Sequence, residues 1–421
     1  MRVGGGRGSG LRMSPTDGRT TTRVDLDSLL AGSSLTAECV AGCLRRRPGA
    51  ALLLPFWAMR GGAFLRRRLA ESAGLNVAEL PFREEAVEEA RRGGPVTIVT
   101  TGDVELARRT AEHLGFDRVE ASREKAPRAA WRWGAIRRTL RPYQWLKNAL
   151  VFVPFLLSHQ VDSAARWVSA SLLFLAFSFC ASAGYVVNDI IDRPRDRLHP
   201  RRRLRPIASG ETPLEVAIWL PAPLLAAAGV CCAFLPAGCA ISLGVYVLMT
   251  VVYSAKAKDF VMADVLLLAG LYLLRLLAGS IATGNAVSHW LLAFALALFL
   301  SLALCKRVSE LIAWRALDRD GAPGRRYRAE DVPVLEMMAV ASGFVACLTM
   351  VLYIQSPEIL RLYRRPEYLW VGVVALLYWL GRLFIYSHRG ECPDDPLLFA
   401  VQDRTTLVVL GVASVCALSA V

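Results

Sequence analysis

The sequence predicts an all-α polytopic membrane protein with about nine transmembrane helices, preceded by a small α/β domain. Hydrophobic residues make up 54% of the 421 positions, the mean hydropathy is positive, and nine apolar runs follow Trp131, each close to the roughly 20 residues that cross a bilayer. Strand, helix, strand and helix patterns alternate before them. We expect a disordered arm over 1–22, the α/β domain over 23–128 and the transmembrane domain over 137–421.

The first 128 residues contain the arm and the predicted α/β domain. Residues 1–22 are rich in Gly, Arg and Thr without hydrophobic periodicity, and we expect neither folding nor a secretory signal peptide there. RVDLDSLLAG then begins as a short strand ending in Asp25 and Asp27, and PVTIVTTGD is a buried strand ending at Thr100. Ligands of such units lie at the carboxyl ends of their strands, so this edge is a candidate site.

This domain resembles the haloacid-dehalogenase-like (HAD-like) phosphatases, whose first motif is DxDGT and whose second is a strand ending in Thr or Ser. The resemblance implies that Asp25 is a nucleophile, Asp27 an acid/base and Thr100 a phosphate ligand. The chain departs from the family at Ser28, which replaces a glycine, and it lacks an acidic fourth motif before the membrane region. Lys125 is the nearby candidate for the third motif. We expect a truncated, degenerate domain with a regulatory or scaffolding role; a working phosphatase is the alternative.

The nine apolar runs and the basic residues between them predict a topology. The runs lie at about 142–158, 166–187, 214–235, 237–254, 261–283, 289–305, 332–354, 368–388 and 404–421. The net charge of +14 concentrates in alternate connections, whereas the turns at about 159–165, 236 and 284–288 carry no Lys or Arg. The positive-inside rule therefore places the N-terminus and the basic loops on the cytoplasmic side of the inner (plasma) membrane. Arg361, Arg364 and Arg365 are an exception.

Composition also excludes several classes of function. Aromatic residues do not alternate with the basic ones, so the charge predicts contact with membrane lipids and no nucleic-acid partner. The ten cysteines show no CxxC or Cys/His spacing, which argues against zinc and a disulfide framework. No P-loop or GxGxxG fingerprint occurs, so nucleotide hydrolysis and hydride transfer have no support.

The most informative stretch is GYVVNDIIDRPRDRLHPRRRLRPIASG, where an apolar run meets acids and then bases. Asn188, Asp192 and Asp196 follow at i, i+4 and i+8, which places them on one helical face, and Asp189 lies one residue off it. Carboxylates gathered at a membrane helix end need a compensating cation. The spacing predicts a site for a polyvalent cation with oxygen ligands; a helix end capped by solvated charge is the alternative. Guanidinium forks suited to phosphate come next: Arg202, Arg203 and Arg205.

The pattern NDxxDxxxD followed by HPxxRxRPIAxG resembles the first aspartate-rich motif of the UbiA superfamily of intramembrane prenyltransferases. The resemblance implies a magnesium site in which Asn188, Asp189, Asp192 and Asp196 bind Mg²⁺ together with a substrate diphosphate, with Asp192 and Asp196 catalytic. RPxQWxKN, LRxxAGxxATG and a KRxxEL-like run are most similar to the polyprenyl-phosphate (decaprenyl-phosphate) phosphoribosyltransferase branch.

Three further charged groups are candidates. RPYQWLKN begins the first span, and the branch resemblance implies substrate contacts there; an interfacial Trp with a snorkelling Lys is the alternative. Its candidate residues are Arg141, Gln144, Lys147 and Asn148.

After the fourth span, Tyr253, Lys258 and Asp264 match the region of the family's second aspartate-rich motif. Asp259 and Asp264 lie about 140° apart on a helix, which argues against a second carboxylate pair. We expect Lys258 to bind phosphate and Asp264 alone to contact metal or a basic partner, both as catalytic residues.

Charged residues inside the later spans complete the candidates. Arg275 is costly in lipid, so it should face a polar interior or pair with a carboxylate. Lys306 and Glu310 have i, i+4 spacing typical of a structural pair. The branch resemblance adds substrate-binding roles for Arg275, Lys306 and Arg307.

Taken with these residues, the UbiA resemblance implies a Mg²⁺-dependent transferase that displaces diphosphate. The favoured donor is phosphoribosyl diphosphate, attacked by the phosphate of a polyprenyl phosphate lipid, because the many bases suit an added anionic nucleophile. One alternative is a prenyl diphosphate donor with an aromatic or lipid acceptor. The alternative of another class is a membrane transporter, which also carries intramembrane charge, although no inverted repeat is visible.

Overall fold

A computed structural model describes residues 11–16, 19–92, 95–116, 118–121, 133–159, 161–198, 202–255, 260–315, 326–391 and 403–421. The chain forms two compact units. One contains residues 1–142 and 182–224, and the other contains residues 143–181 and 225–421. The predicted domain boundary near residues 128–137 therefore differs from the division in the structure, because the acid- and arginine-rich stretch belongs to the unit that holds the N-terminal residues.

The first unit has a four-stranded sheet in the order β1 (Leu11–Thr16), β2 (Arg19–Asp25), β3 (Val96–Thr100) and β4 (Arg118–Ala121). The β1–β2 pair is antiparallel, and the two other pairs are parallel. The predicted disordered arm is wrong for β1 and the start of β2. The run RTTTRV is rich in β-branched residues, which favour strands, and it pairs with β3 along one edge.

Seven helices of the first unit precede the membrane region. They are α1 (Leu26–Leu29), α2 (Leu35–Arg46), α3 (Leu54–Met59), α4 (Gly62–Ala73), α5 (Glu84–Arg92), α6 (Val104–Leu114) and α7 (Trp133–Leu140). Ser34 and Asp103 cap α2 and α6 by accepting hydrogen bonds from backbone N–H groups. Leu26, Leu35 and Ile98 are fully buried between the helices and the sheet. The predicted alternation of strands and helices is present.

The longest helix, α9 (Ala164–Arg197), contains 34 residues and continues through Pro194. At 1.5 Å per residue it is about 51 Å long, whereas the hydrocarbon core of a bilayer is about 30 Å thick. Its polar end therefore extends beyond the apolar span predicted at 166–187. A short 3₁₀ turn follows at Arg202–Leu204, and α10 (Leu214–Trp219) and α11 (Pro221–Ala233) then form the next apolar helix.

The second unit is helical throughout its described part. It contains α8 (Val153–Leu157), the first half of α9, α12 (Ala237–Ala255), α13 (Ala263–Thr283), α14 (His289–Arg315), α15 (Val332–Ile354), α16 (Leu369–His388) and α17 (Arg404–Ala420). Leu276, Leu304 and Leu383 are buried in its core. Asp403 caps α17 and accepts a hydrogen bond of 2.6 Å from Arg382, which ties α17 to α16.

Seven helices among the described residues are long and apolar enough to cross a membrane, and α17 is a shorter apolar helix. The predicted count of nine is therefore not confirmed. The first predicted span, 142–158, forms a 3₁₀ helix at Pro142–Phe152 followed by the short α8. This segment packs so tightly on α13 that a Cβ at Gly279 would lie 2.1 Å from the carbonyl oxygen of Val151. A backbone contact of this kind is not visible in a hydropathy pattern.

Candidate active site

The final turns of α9 carry the predicted acidic site. Asn188, Asp189, Asp192 and Asp196 lie on one helix. At 100° per residue, the three aspartates fall within an arc of about 60°, and Asn188 extends this arc to about 100°. The predicted shared face is therefore present, with Asp189 on it. Asp189 and Asp196 are 3% and 1% exposed, which is rare for carboxylates without compensating cations.

Two arginines supply this compensation. Arg141 donates from Nη2 to both oxygens of Asp189, at 2.6 and 2.7 Å. Arg205 donates from Nη1 to Asp196 at 2.7 Å and to Asp189 at 3.2 Å. The sequence predicts both arginines as substrate contacts. In the structure Arg141 neutralises Asp189, and Arg205 bridges Asp189 and Asp196.

Asp192 and Asn188 differ from their neighbours because they are only half-buried. Within the part of the chain that the structure describes, neither side chain has a hydrogen-bond partner. Among the described residues, nothing therefore competes with a ligand for this carboxylate and this amide oxygen. Asp189 and Asp196 become available only if an arginine moves.

The donor set of this face fits a hard divalent cation such as Mg²⁺. All its side-chain donors that can bind a metal are oxygens, and Mg²⁺ is commonly bound by one or two carboxylates together with substrate phosphates and water. Among the described residues, no three His, Cys, Asp or Glu side chains are grouped so that they hold a metal unaided. Asn188 and Asp192 would therefore be the first residues to hold a magnesium ion, whose remaining ligands would come from a substrate phosphate and water.

Arg141 has an unusual backbone conformation, with φ of 52° and a proline after it. A non-glycine residue at positive φ costs on the order of 1 kcal/mol or more, so the surrounding contacts must hold it there. The Arg141 guanidinium lies 5.3 Å from the ring centre of Tyr185 and contacts Asp189. Backbone strain next to a charged contact is typical of a functional position.

Four other predicted substrate residues lie on two 3₁₀ helices. Arg202 and Arg203 are exposed on the 3₁₀ turn that follows α9. In the second unit, Gln144 and Lys147 are half-buried on the 3₁₀ helix Pro142–Phe152.

A second charged group lies wholly within the second unit, around Asp264 at the start of α13. Asp264 is fully buried and accepts hydrogen bonds of 2.6 Å from Arg307 Nε and from the Tyr327 hydroxyl. Arg307 also donates to the Tyr253 hydroxyl at 3.0 Å and contacts Glu310. Of the two predicted options for Asp264, metal or a basic partner, the structure has the basic partner. Arg307 is 1% exposed, so the predicted substrate contact is closed in this conformation.

Tyr327 is a site residue that the sequence does not reveal, because it lies in a charged connection outside the apolar runs. Its hydroxyl accepts from the Met262 N–H at 2.8 Å and donates to Asp264. Burial, followed by the Asp264 contact, raises the pKa of Tyr327 well above its usual range, so the hydroxyl stays protonated as a donor. Lys306 is half-buried on α14. The predicted phosphate ligand Lys258 lies outside the described residues.

Arg275 is buried in the second unit, as predicted from the high cost of exposing a charge to lipid. Its side-chain partner is an amide. It is 5% exposed, and its Nε donates to Asn148 Oδ1 at 2.8 Å. Asn148 in turn donates to Ser178 at 3.1 Å. The ring of Tyr246 lies 4.8 Å from the guanidinium carbon, a distance at which cation–π attraction is significant. Asn148 and Arg275, both predicted substrate residues, therefore hold each other.

The three residues assigned to a vestigial phosphatase site lie at the predicted sheet edge but make local contacts. Asp25 accepts a hydrogen bond from the N–H of Asp27, Asp27 from that of Leu35, and Thr100 from that of Gly102. Burial raises the pKa of Asp27 to about 6, with smaller contributions from the charges of Asp25 and Glu215. Burial also raises the pKa of Asp25. Lys125 lies outside the described residues, so a HAD-like site remains a prediction.

The helices and the acid–base face define a multi-pass membrane protein with a charged site at the end of its longest helix. The chain belongs to the UbiA prenyltransferase family, whose family model matches residues 149–400, more than half of the chain. This family membership identifies the protein as a transferase and gives the transporter alternative no support.

The chain is similar to several named relatives and to one solved structure. Nodulation protein NoeC from Azorhizobium caulinodans is 35% identical over 283 residues, covering 65% of this chain and 89% of that protein. Decaprenyl-phosphate phosphoribosyltransferase from Corynebacterium glutamicum is 32% identical over 213 residues, or 49% of this chain and 63% of that protein. The chain spans about half the length, 52%, of protein y4nM from Sinorhizobium fredii, with 34% identity over 269 residues and 63% of this chain covered. A UbiA homolog from Archaeoglobus fulgidus, solved bound to DMAPP and Mg²⁺, has a TM-score of 0.46 at 17% identity, covering 68% of this chain and 96% of that chain.

Proposed function

We propose that this protein is a Mg²⁺-dependent intramembrane transferase that joins a polyprenyl phosphate lipid to the ribosyl group of phosphoribosyl diphosphate, with release of diphosphate. The proposal rests on one observation: some aspartates of the acidic face are paired with arginines and one is not. Asp189 and Asp196 are held by Arg141 and Arg205, whereas Asp192 has no partner among the described residues. A site of this kind has one carboxylate ready for a cation and two arginines ready for phosphate.

The roles of the residues follow from this geometry. Bound Mg²⁺ would supply positive charge that neutralises the diphosphate leaving group. Asn188 and Asp192 would hold the ion first, and Asp196 and Asp189 would join as the arginines turn toward phosphate. Arg141 and Arg205 then stabilise the charge that grows on the leaving oxygen as the C–O bond breaks. The exposed Arg202 and Arg203 are placed on the same segment to bind outer phosphate oxygens.

Charge balance favours a phosphate nucleophile over an aromatic one. The reaction would bring a diphosphate and a lipid phosphate to one membrane face, and the turn after α9 adds Arg202 and Arg203 to the two arginines that contact the acidic face. One relative is named decaprenyl-phosphate phosphoribosyltransferase, a name that describes this chemistry, and its match covers 49% of this chain. The basic connections support a cytoplasmic site in the inner membrane, where a water-soluble donor is accessible.

A prenyl diphosphate donor is the second candidate, because the A. fulgidus homolog was solved with DMAPP, a prenyl diphosphate, and Mg²⁺. The same acidic face would then neutralise the diphosphate while an allylic cation meets an aromatic or lipid acceptor. The two candidates differ in which reactant carries the leaving group, so labelled donors separate them.

The test is a paired assay with purified protein in detergent and Mg²⁺. One reaction contains labelled phosphoribosyl diphosphate with polyprenyl phosphate, and the other contains labelled prenyl diphosphate with an aromatic acid. We expect label to enter the lipid fraction in the first reaction and to require Mg²⁺. Product from the second reaction alone would replace the phosphoribosyl donor, and a product that forms equally in EDTA would refute the metal-dependent mechanism. Asp192→Asn is the matched inactive control.

A further inference from the structure

The N-terminal α/β domain contacts the helix that carries the acidic face, and the contacts are buried. Glu38 on α2 is 9% exposed and forms an ion pair with Arg193 on α9, which is 2% exposed. Ser33 donates a hydrogen bond of 2.6 Å to the same Glu38 oxygen. All these residues belong to the first compact unit.

The position of Arg193 on α9 makes this pair functionally relevant. Arg193 follows Asp189 by four residues and precedes Asp196 by three, the two spacings at which oppositely charged side chains meet on a helix. It lies within about 60° of both around the helix. If Arg193 had no other partner, it would be free to neutralise the same carboxylates that Arg141 and Arg205 contact.

Glu38 directs Arg193 away from the acidic face. The Arg193 Nη1 contacts Glu38, its Nη2 donates to the carbonyl oxygen of Ala31 at 3.2 Å, and its Nε donates to that of Ile207 at 3.2 Å. Each of its three nitrogens therefore has an acceptor outside the aspartate cluster. One of these acceptors, Ile207, lies two residues after Arg205, so the same guanidinium also holds the arginine-rich segment.

Further contacts fix the same junction. Arg197 Nε donates to Ala208 O at 3.1 Å, and the Leu214 N–H donates to Gly32 O at 3.1 Å. Gly32 and Gly210 both have positive φ, and a Cβ at Gly32 would lie 2.9 Å from the Gly210 Cα. The backbone of residues 31–32 thus packs directly on the segment that positions Arg205.

We infer that Glu38 is a positioning residue for the acidic face: by binding Arg193, the N-terminal domain keeps a competing cation off Asp189 and Asp196. The inference rests on the proposed Mg²⁺-diphosphate function of that face. It gives the α/β domain a role that needs no phosphatase chemistry. The domain supplies a buried counter-charge, Glu38, and the backbone of residues 31–32, which packs on the arginine-rich segment. The inference also predicts that the domain cannot be removed without loss of Mg²⁺ response.

The experiment compares full-length variants in the Mg²⁺-dependent transferase assay. Glu38→Gln keeps the size of the side chain and an acceptor for Ser33 but leaves Arg193 without its counter-charge. We expect the half-activating Mg²⁺ concentration to rise about tenfold, which corresponds to a change of about 1.4 kcal/mol in binding, with kcat at saturating Mg²⁺ changed less than about threefold. Adding Arg193→Met to Glu38→Gln removes the competing cation and should restore the Mg²⁺ response.

A matched control is Glu211→Gln, which breaks an ion pair with Arg138 in the same unit, where both side chains are well exposed. We expect its Mg²⁺ response to equal that of the wild type. An unchanged Mg²⁺ response in a folded Glu38→Gln variant would overturn the inference. A loss of kcat at unchanged Mg²⁺ response, or a double variant worse than the single one, would also overturn it, because either result indicates a structural role alone.

A readout without turnover separates this inference from the proposed reaction. Hydrogen–deuterium exchange on Mg²⁺-free protein reports the backbone hydrogen bonds of the arginine-rich segment, such as Ser209 N–H to Arg205 O at 2.8 Å. We expect faster exchange over residues 202–210 in Glu38→Gln and wild-type exchange in Glu211→Gln. If the wild type transfers neither labelled donor, the reaction proposal fails, and exchange still reports whether Glu38 positions the arginine-rich segment. Equal exchange in both variants would refute it.

Discussion

The Asp264–Arg307 ion pair in the second unit gives a testable prediction, because Arg307 has more charged and polar contacts than Asp264. Arg307 contacts two carboxylates and a tyrosine hydroxyl: those of Asp264, Glu310 and Tyr253. Asp264 contacts one cation and the Tyr327 hydroxyl. Removing the aspartate charge leaves the arginine with a carboxylate, whereas removing the arginine leaves a fully buried carboxylate without a cation.

The expected costs follow from this asymmetry. Arg307→Met should destabilise the protein by about 3–5 kcal/mol, the usual cost of leaving one partner of a buried ion pair uncompensated. Asp264→Asn should cost about 1–3 kcal/mol, since the amide oxygen can still accept from Tyr327 and the loss is mainly one hydrogen bond to Arg307. In the double variant no buried charge is left unpaired at Asp264, so it should be more stable than Arg307→Met alone.

The measurement is chemical unfolding in detergent micelles, followed by the fluorescence of the ten tryptophans. Arg315→Met is the matched control, because Arg315 is an exposed arginine on the same helix, and its change should alter stability by less than about 0.5 kcal/mol. Equal effects of Arg307→Met and Asp264→Asn, or a double variant as unstable as Arg307→Met, would refute the reasoning. Either outcome would mean that the carboxylate is stabilised by something other than Arg307.

Three other predictions follow from the site and the α/β domain. Asp192→Asn should reduce Mg²⁺-dependent turnover at least about 100-fold with an unchanged unfolding midpoint; turnover close to wild type would remove Asp192 from the metal site. Asn148→Leu should lower the unfolding midpoint, because Arg275 loses its side-chain acceptor inside the helical unit, and an unchanged midpoint would contradict this. For Asp27, burial raises the pKa to about 6, so folding favours its protonated form and stability falls as pH rises from about 4 to about 6. Asp27→Asn should therefore raise the unfolding midpoint at pH 8 but not at pH 4, and an equal gain at both values would show that the carboxylate is not responsible.

Local periodicity predicted the parts of the site that depend on one helix. Helical spacing placed Asp192 and Asp196 on one face, and the structure has them within the same arc of α9. Hydropathy likewise predicted the positions of seven helices that the structure describes as candidate spans. These features depend on residues within a few turns of one another, which is the range over which sequence patterns carry information.

Tertiary pairing could not be predicted in the same way. Arg141 lies 48 residues from Asp189, and Tyr327 lies 63 residues from Asp264, so neither contact has a spacing rule. The conformation of the first predicted span also depends on tertiary packing, because the 3₁₀ helix at Pro142–Phe152 packs against the backbone of Gly279. The sequence identified most of these residues as polar or charged candidates but did not reveal which of them neutralise one another.

Arg193 shows why the local rule fails at this site. Helical spacing favours its pairing with Asp189 or Asp196, yet both of these buried carboxylates already contact arginines from elsewhere in the chain. Leaving the buried Glu38 without a cation would cost several kcal/mol, because a desolvated carboxylate has no water to replace the lost charge. Because Arg193 contacts Glu38 while the aspartates contact the more exposed Arg141 and Arg205, all three buried carboxylates have a cation. Arginines that are partly exposed can be reoriented by a substrate phosphate at lower cost than a buried one, and the buried pair thereby leaves the acidic face with partly exposed counter-charges.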